Sequence, residues 1–329
     1  MQHAWQLRLI IKDPQLMFIN PTTLFYEEIV HIPVKDEQMQ NLITKLKTIT
    51  ENETNVLLKS LDNFYNEMKI KCPEVSAKQH PLVHQAFLET LTKLQVFLPS
   101  ETMKQLKTTK VFVVEDPKPN ARSYAFQGTN SVIVITSRLV DLLTAKGVPS
   151  EVLQAVFAHE LGHVFNTDSK YARTMQFIAA KNQDSFQNDL KYFTPFLQKC
   201  ELEADRVMCA ALYDHWLCIP RMFAIVSSGE SNANGIDFWN QCKNLKNNNT
   251  DDVIKSSGNH PPNAFRVNAL ENFRNSEKFK QFMQHKQKSL LSISAVQDQR
   301  FTNPYLLVAD ASELKKVTDS WSVCTDRKP

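Results

Sequence analysis

The sequence predicts a mostly helical α+β fold in which a small antiparallel sheet leads into one central helix. Three observations predict it. Apolar residues recur at helical spacing through most of the chain. Three short runs rich in β-branched and aromatic residues fall together between residues 110 and 136. Glycine is scarce, with 6 in 329 residues, while 42% of residues are hydrophobic, enough for one large domain or two modest ones.

Residues 1–35 mix short apolar runs with Pro14, Pro21 and Pro33, which reads as strand or loop. From Asp36 to about Lys71 the pattern is helical. Leu42, Ile43, Leu46 and Ile49 form one stripe, and Val56, Leu57, Leu61, Phe64 and Met68 a second. These helices either cover the main core or form a separate partner-binding module, and covering is the simpler reading. Pro73 ends the region. The chain thus divides into an accessory region (1–75), a main domain (76–285) and a tail (286–329) without readable chemistry.

The main domain opens on a helical run from His80 to Leu106, carrying Val83, Phe87, Leu91 and Leu94 and broken by Pro99. Strands are expected over Lys110–Val114, Asn120–Phe126 and Ser131–Thr136, with Gln127–Asn130 turning between the last two. Ser137 to Ala145 begins a helix with Leu139, Leu142 and Leu143. An exposed edge of such a sheet can pair with an extended peptide, although a purely structural sheet fits the sequence equally well.

The central helix runs from Glu151 to Phe165. Ser150 suits its N-cap, and Glu151 puts negative charge in the first turn. Val152, Val156, Phe157, Leu161, Val164 and Phe165 recur at helical spacing, so the helix is expected to be amphipathic with one broad buried face. His159 and His163 stand four apart and share a face. That geometry suits two nitrogens on one zinc ion, with Glu160 beside them to take a proton from water.

A third ligand has to come from elsewhere. Residues 164–169 read Val-Phe-Asn-Thr-Asp-Ser, so no further histidine follows at metzincin spacing, and a carboxylate is wanted. Residues 166–199 suit polar helices, and the helix continues through Lys199–Leu212 with Glu201, Glu203 and Asp205. Glu201 and Asp205 share a face, whereas Glu203 lies about 200° round from Glu201 and points elsewhere. Glu201 is therefore expected on the metal, with Asp205 accepting the second ring N–H of a ligand histidine. Cys200 offers a thiolate, but it sits about 100° from Glu201 and leaves Asp205 unexplained. Residues 227–259, rich in Ser, Asn and Lys, read as a mobile loop that can act as a lid. Pro261 then restricts His260 to an extended turn, before a helix from Pro262 to about Phe273.

Net charge is +3, from 38 Lys plus Arg against 35 Asp plus Glu, which gives no reason to expect a nucleic-acid partner. The apolar run at the amino terminus is broken by Arg8 and Lys12, unlike a secretory signal, and no run approaches the length of a membrane span. The six cysteines, at 72, 200, 209, 218, 242 and 324, form no C-x-x-C pair and read as free thiols. The expectation is a cytoplasmic protein, with export lacking a classical signal as the alternative.

Five blocks in order resemble the M48 family of zinc metallopeptidases, the gluzincins that include the CAAX-prenyl proteases and HtpX. They are Asp116-Pro117-x-Pro119-Asn120-Ala121, the strand and Leu-rich helix from Val132 to Leu143, His159-Glu160-Leu161-Gly162-His163, Glu201-x-x-x-Asp205, and His260-Pro261-Pro262-x-x-x-Arg266. The resemblance covers about residues 80–285. It implies a zincin-like zinc endopeptidase with one Zn²⁺ on His159, His163 and Glu201, Glu160 as general base and Asp205 behind the ligands. It further implies that His260 lies in the cleft to steady an oxyanion, that Arg266 supports the site, and that substrate docks along Asn120 and Ala121. Many relatives carry transmembrane helices and no such segment is legible here, so the substrates expected are proteins or peptides rather than membrane-embedded chains. The alternatives are a latent or chaperone-like protein that uses the same fold for binding, and an exported effector protease.

Overall fold

A computed structural model describes residues 29–47, 51–98, 100–125, 131–166, 183–244, 258, 260–284 and 286. In chain order the elements are α1 (Glu37–Lys47), α2 (Glu51–Lys71), α3 (Pro81–Gln95), α4 (Ser100–Lys107), β1 (Lys110–Val114), β2 (Ala121–Tyr124), β3 (Val132–Thr136), α5 (Ser137–Leu143), α6 (Ser150–Asn166), α7 (Gln183–Ala211), α8 (Cys218–Ser228), α9 (Gly235–Asn244) and α10 (Asn263–Asn275). The chain divides into two compact units, Met1–Met283 and Gln284–Pro329, and all of these elements belong to the first. No helix among the described residues is long and apolar enough to cross a membrane.

Helix α6 is the axis of the core. Every residue from Val152 to Gly162 is buried, which corrects the expectation of a one-sided amphipathic helix. Helices α3, α7 and α8 all pack against it. A helix apolar all round is stable only when so enclosed. The Phe157 ring meets Phe87 of α3 edge-on at 5.4 Å between centroids, and burying such a side chain contributes about 1.5–3 kcal/mol. The polar residues in this frame need partners. Gln154 donates its amide N–H to Glu89 of α3, and His159 and Glu160 turn into the site described below. Ser150 is the first helical residue, and its hydroxyl meets Glu151 and Gln154 instead of capping a backbone N–H.

The sheet has three strands in the order β1-β3-β2. β2 pairs antiparallel with β3, but β1 pairs parallel with it, so the sheet is mixed and not the antiparallel sheet expected. The reason is burial. β3 (Val-Ile-Val-Ile-Thr) is the most apolar strand and takes the centre, buried at four of its five positions. β2 carries Arg122 and Ser123 and takes the edge, with an intermediate or exposed environment throughout. Thr136 closes β3 and opens α5, its hydroxyl accepting from Leu139 N at 3.4 Å as the N-cap.

The amino-terminal helices lie on this core. Leu42 and Leu46 of α1 pack with Phe196 and Cys200 of α7, and Met68 of α2 packs with Phe112 and Val132 of the sheet. Residues 227–259 are not one loop, since α9 occupies 235–244 and Trp239 Nε1 donates to Glu271 of α10 at 2.8 Å. The expected strand or loop over 1–28, the turn at 127–130, the lid over 245–257 and the tail from 287 lie outside the described residues.

Candidate active site

The two blocks that carry the candidate ligands sit on crossing helices. Gly162 of α6 faces Ala204 of α7 so closely that a Cβ at 162 would stand 2.9 Å from Ala204 Cα and 3.1 Å from its carbonyl oxygen. Only glycine permits that approach, and it brings His159 and His163 against Glu201. His163 Nε2 lies 3.1 Å from His159 Nε2. Each nitrogen has a Glu201 oxygen at 3.3 Å, Oε2 for His159 and Oε1 for His163. The edge of a tetrahedron built on zinc–ligand bonds is roughly 3.3 Å, so the spacing already matches such an ion. One donor atom from each of the three residues lies within 4.8 Å of the others.

Behind these three side chains, His159 Nδ1 stands 3.0 Å from Asp205 Oδ1. A proton donated from Nδ1 fixes the tautomer and leaves the Nε2 lone pair for a metal. Arg266 completes the arrangement with a two-pronged contact to Asp205, Nε to Oδ2 at 2.8 Å and Nη2 to Oδ1 at 2.6 Å. Its guanidinium lies over the Phe223 ring, 4.8 Å from the centroid. Asp205, Glu201 and Arg266 are all buried.

Charge follows from this packing. Burial opposes ionised Glu201, but the surrounding His163, His159 and His260 rings outweigh it and hold its pKa well below the usual carboxylate range. Burial likewise opposes ionised Asp205, and Arg266 with His159 reverses the effect, lowering its pKa. Burial would lower the pKa of His159, yet its hydrogen bonds to Asp205 and Glu201 raise it. Two carboxylates against one guanidinium leave a net negative charge beside two imidazoles, a donor set suited to a divalent cation. Glu201 Oε2 is buried without a well-directed hydrogen bond despite its three nearby nitrogens. A metal would satisfy it.

A cavity of about 200 Å³ opens beside this cluster. His159, Glu160, Glu201, His260 and Arg266 line one side, and Asn120 and Ala121, at the start of edge strand β2, line the rim. His260 is largely exposed, and its Nδ1 reaches to 3.0 Å from Glu201 Oε2. Asn120 is anchored by its own backbone, N to Thr136 Oγ1 at 2.9 Å and O from Thr136 N at 2.9 Å. The structure thus gathers all nine residues singled out from the sequence around one site.

Two sets of neighbours are not legible in the sequence. Leu139, Val156, Met222, Phe223 and Val226 form the apolar wall of the cavity. Leu139 and Val156 read as plain core, and the apolar pattern of α8 carries no sign of which face meets the site. Glu203, 200° round from Glu201 by spacing, is buried against the segment at 29–32, a partner that no local pattern reveals.

Comparison with known proteins agrees with this geometry. The model of peptidase family M48 matches residues 83–274, more than half of the chain, and the chain belongs to that family. Among curated proteins, a protease HtpX homolog of Moorella thermoacetica is 34% identical over 115 residues, covering 35% of this chain and 33% of the relative. A protease HtpX homolog of Dictyoglomus turgidum is 36% identical over 75 residues, 23% of this chain and 22% of the relative. The plastoglobule-localized metallopeptidase 48 of Arabidopsis thaliana is 41% identical over 59 residues, 18% of this chain and 16% of the relative. The chain therefore spans a third or less of the length of these relatives. No solved structure matches it.

Proposed function

We propose that this chain is a zinc-dependent endopeptidase acting on protein or peptide substrates. The observation that carries the reading is the convergence of His159, His163 and Glu201 on one point, with Asp205 and Arg266 behind them and Glu160 in the adjoining cavity. His159, His163 and Glu201 would hold a zinc ion, which when bound would supply the Lewis acidity that acidifies water and polarises a carbonyl. Glu160 receives the proton of the attacking water and delivers it to the departing amine. His260, at the cavity mouth, donates to the oxyanion of the tetrahedral intermediate. Asp205 keeps the His159 proton on Nδ1, and Arg266 keeps Asp205 ionised and oriented. An extended substrate lies along the edge of β2 at Asn120 and Ala121, pairing through its backbone. The apolar wall of Leu139, Val156, Met222, Phe223 and Val226 takes an uncharged side chain.

Zinc content and hydrolysis of unfolded casein by the purified chain test this reading together. The expected result is one zinc per chain, cleavage lost on chelation and restored by zinc, and a Glu160→Gln variant that keeps zinc but does not cleave. A zinc-loaded wild type that captures unfolded protein without cutting it favours the binding-protein alternative. A folded, zinc-supplemented wild type without zinc rejects the metallopeptidase reading.

A further inference from the structure

Helix α7 carries two functional faces. Glu201, Ala204, Asp205 and Met208 turn toward α6 and the metal cluster. Phe196, Lys199, Cys200, Glu203 and Arg206 lie roughly 150° round the axis. The second face is covered by residues 29–47. Ile32 N donates to Glu203 Oε1 at 2.7 Å. His31 Nδ1 stands 3.0 Å from the same oxygen, and Lys199 Nζ donates to it at 2.6 Å. One helical turn on, Arg206 Nη1 donates to the carbonyls of Ile29, Val30 and His31 at 3.4, 3.3 and 3.1 Å. Its guanidinium rests on the Phe273 ring of α10 at 4.8 Å. Ile29 and Val30 are themselves buried in the main core.

We infer that Glu203 and Arg206 are positioning residues, and that the segment 29–35 is a clasp that sets the axial rotation of α7 and so aims Glu201 and Asp205 at the metal. A buried carboxylate and a mostly enclosed guanidinium are costly unless fully partnered. Here the distant segment supplies an N–H to Glu203 and three carbonyls to Arg206, so α7 cannot turn about its axis without breaking these bonds at both positions. A rotation that moved Glu203 off Ile32 N would swing Glu201 away from His159 and His163 by the same angle. The run Glu201-Leu202-Glu203-Ala204-Asp205-Arg206 therefore encodes two sets of contacts, to the metal on one side and to the clasp on the other. On this account, residues 29–35 act on the metal site without touching it.

The inference rests on the zinc reading above and is tested on the full chain by zinc affinity, measured by chelator competition, beside far-ultraviolet dichroism and thermal midpoint. Ile32→Pro deletes the N–H that Glu203 accepts and leaves every residue of the metal cluster intact. Arg206→Ala deletes the second anchor, and Arg206→Lys restores part of it. Groups that orient metal ligands are worth about 10–100-fold in affinity. The expected result is a loss of that size in Ile32→Pro and Arg206→Ala with native dichroism, partly rescued in Arg206→Lys. A clasp that is merely structural lowers the thermal midpoint and leaves zinc affinity at the wild-type value, which overturns the inference. If Ile32→Pro does not fold, wild-type zinc affinity in Arg206→Ala and Arg206→Lys overturns it as well. A wild type that binds no zinc fails the peptidase reading itself, an outcome distinct from either.

Discussion

Arg266 grips Asp205 through two parallel hydrogen bonds, Nε to Oδ2 at 2.8 Å and Nη2 to Oδ1 at 2.6 Å, and both residues are buried. Truncating the cation to Arg266→Met takes the guanidinium from a buried carboxylate that keeps its contact with His159, and breaking such a buried pair costs about 3–5 kcal/mol. Urea unfolding of the metal-free chain is expected to register that loss. Arg266→Lys recovers only part of it, because an ammonium cannot reproduce the planar fork.

Asp205→Asn tests the other half of the pair. The amide still fills the space but no longer anchors the proton on His159 Nδ1 as a carboxylate does. Zinc affinity by chelator competition is expected to fall about 10–100-fold, with a further loss of stability because Arg266 loses its ionised, two-pronged partner.

Gly162→Ala acts through the helix crossing. The new methyl would stand 2.9 Å from Ala204 Cα, and backbone cannot yield as a side-chain tip can. Overpacking of this kind costs about 1–3 kcal/mol. Separation of α6 from α7 also pulls Glu201 from the histidines. The expected outcome is a folded protein of lower thermal midpoint and weakened zinc binding, read by melting and by metal analysis on the same sample.

The cavity wall predicts a substrate preference. Peptides offering Leu, Met or Phe to the Met222 and Val226 side should be cleaved about 10–200-fold faster than their Ala counterparts in kcat/KM. Acidic residues there should be disfavoured, since Met222 and Val226 offer a carboxylate neither a hydrogen-bond donor nor a positive charge. Val226→Arg should lift the exclusion of acidic residues while leaving zinc content unchanged.

Thr136→Val removes a hydroxyl that caps α5 and accepts from Asn120 N. The lost cap costs about 1 kcal/mol. Because Asn120 lines the cavity rim, KM for an extended peptide is expected to rise more than kcat falls, with zinc content unaltered.

Much of the site is legible in the sequence because its chemistry is local. His159 and His163, and again Glu201 and Asp205, are each one helical turn apart, and that spacing alone puts each pair on one face. What brings the two pairs together is not local, since the close approach of Gly162 to Ala204 spans 42 residues of chain. The same limit explains the other departures. The polar Gln154, His159 and Glu160 interrupt the apolar pattern of α6, so the helix reads as one-sided until Glu89 and the side chains of the candidate site are seen around them. Strand order is hidden because alternation reports which face is buried and not which neighbour pairs, so β1 beside β3 cannot be told from β1 beside β2. The contacts of Glu203 and Arg206 with residues 29–32 are hidden because those partners lie about 175 residues upstream.

The contact between Gly162 and Ala204 also bears on which ion the site accepts. With the two backbones already touching, the helices cannot come closer, and the burial of α6 on all sides opposes their moving apart. Calcium, which takes 6–8 oxygens at roughly 2.3–2.6 Å, would need a wider shell and more carboxylates than this crossing offers. Magnesium, which demands octahedral oxygen at roughly 2.0–2.1 Å, gains little from two imidazoles. On the zinc reading, selectivity for a small tetrahedral ion would thus rest partly on a backbone separation, beside the three donor side chains, and would depend on glycine at 162.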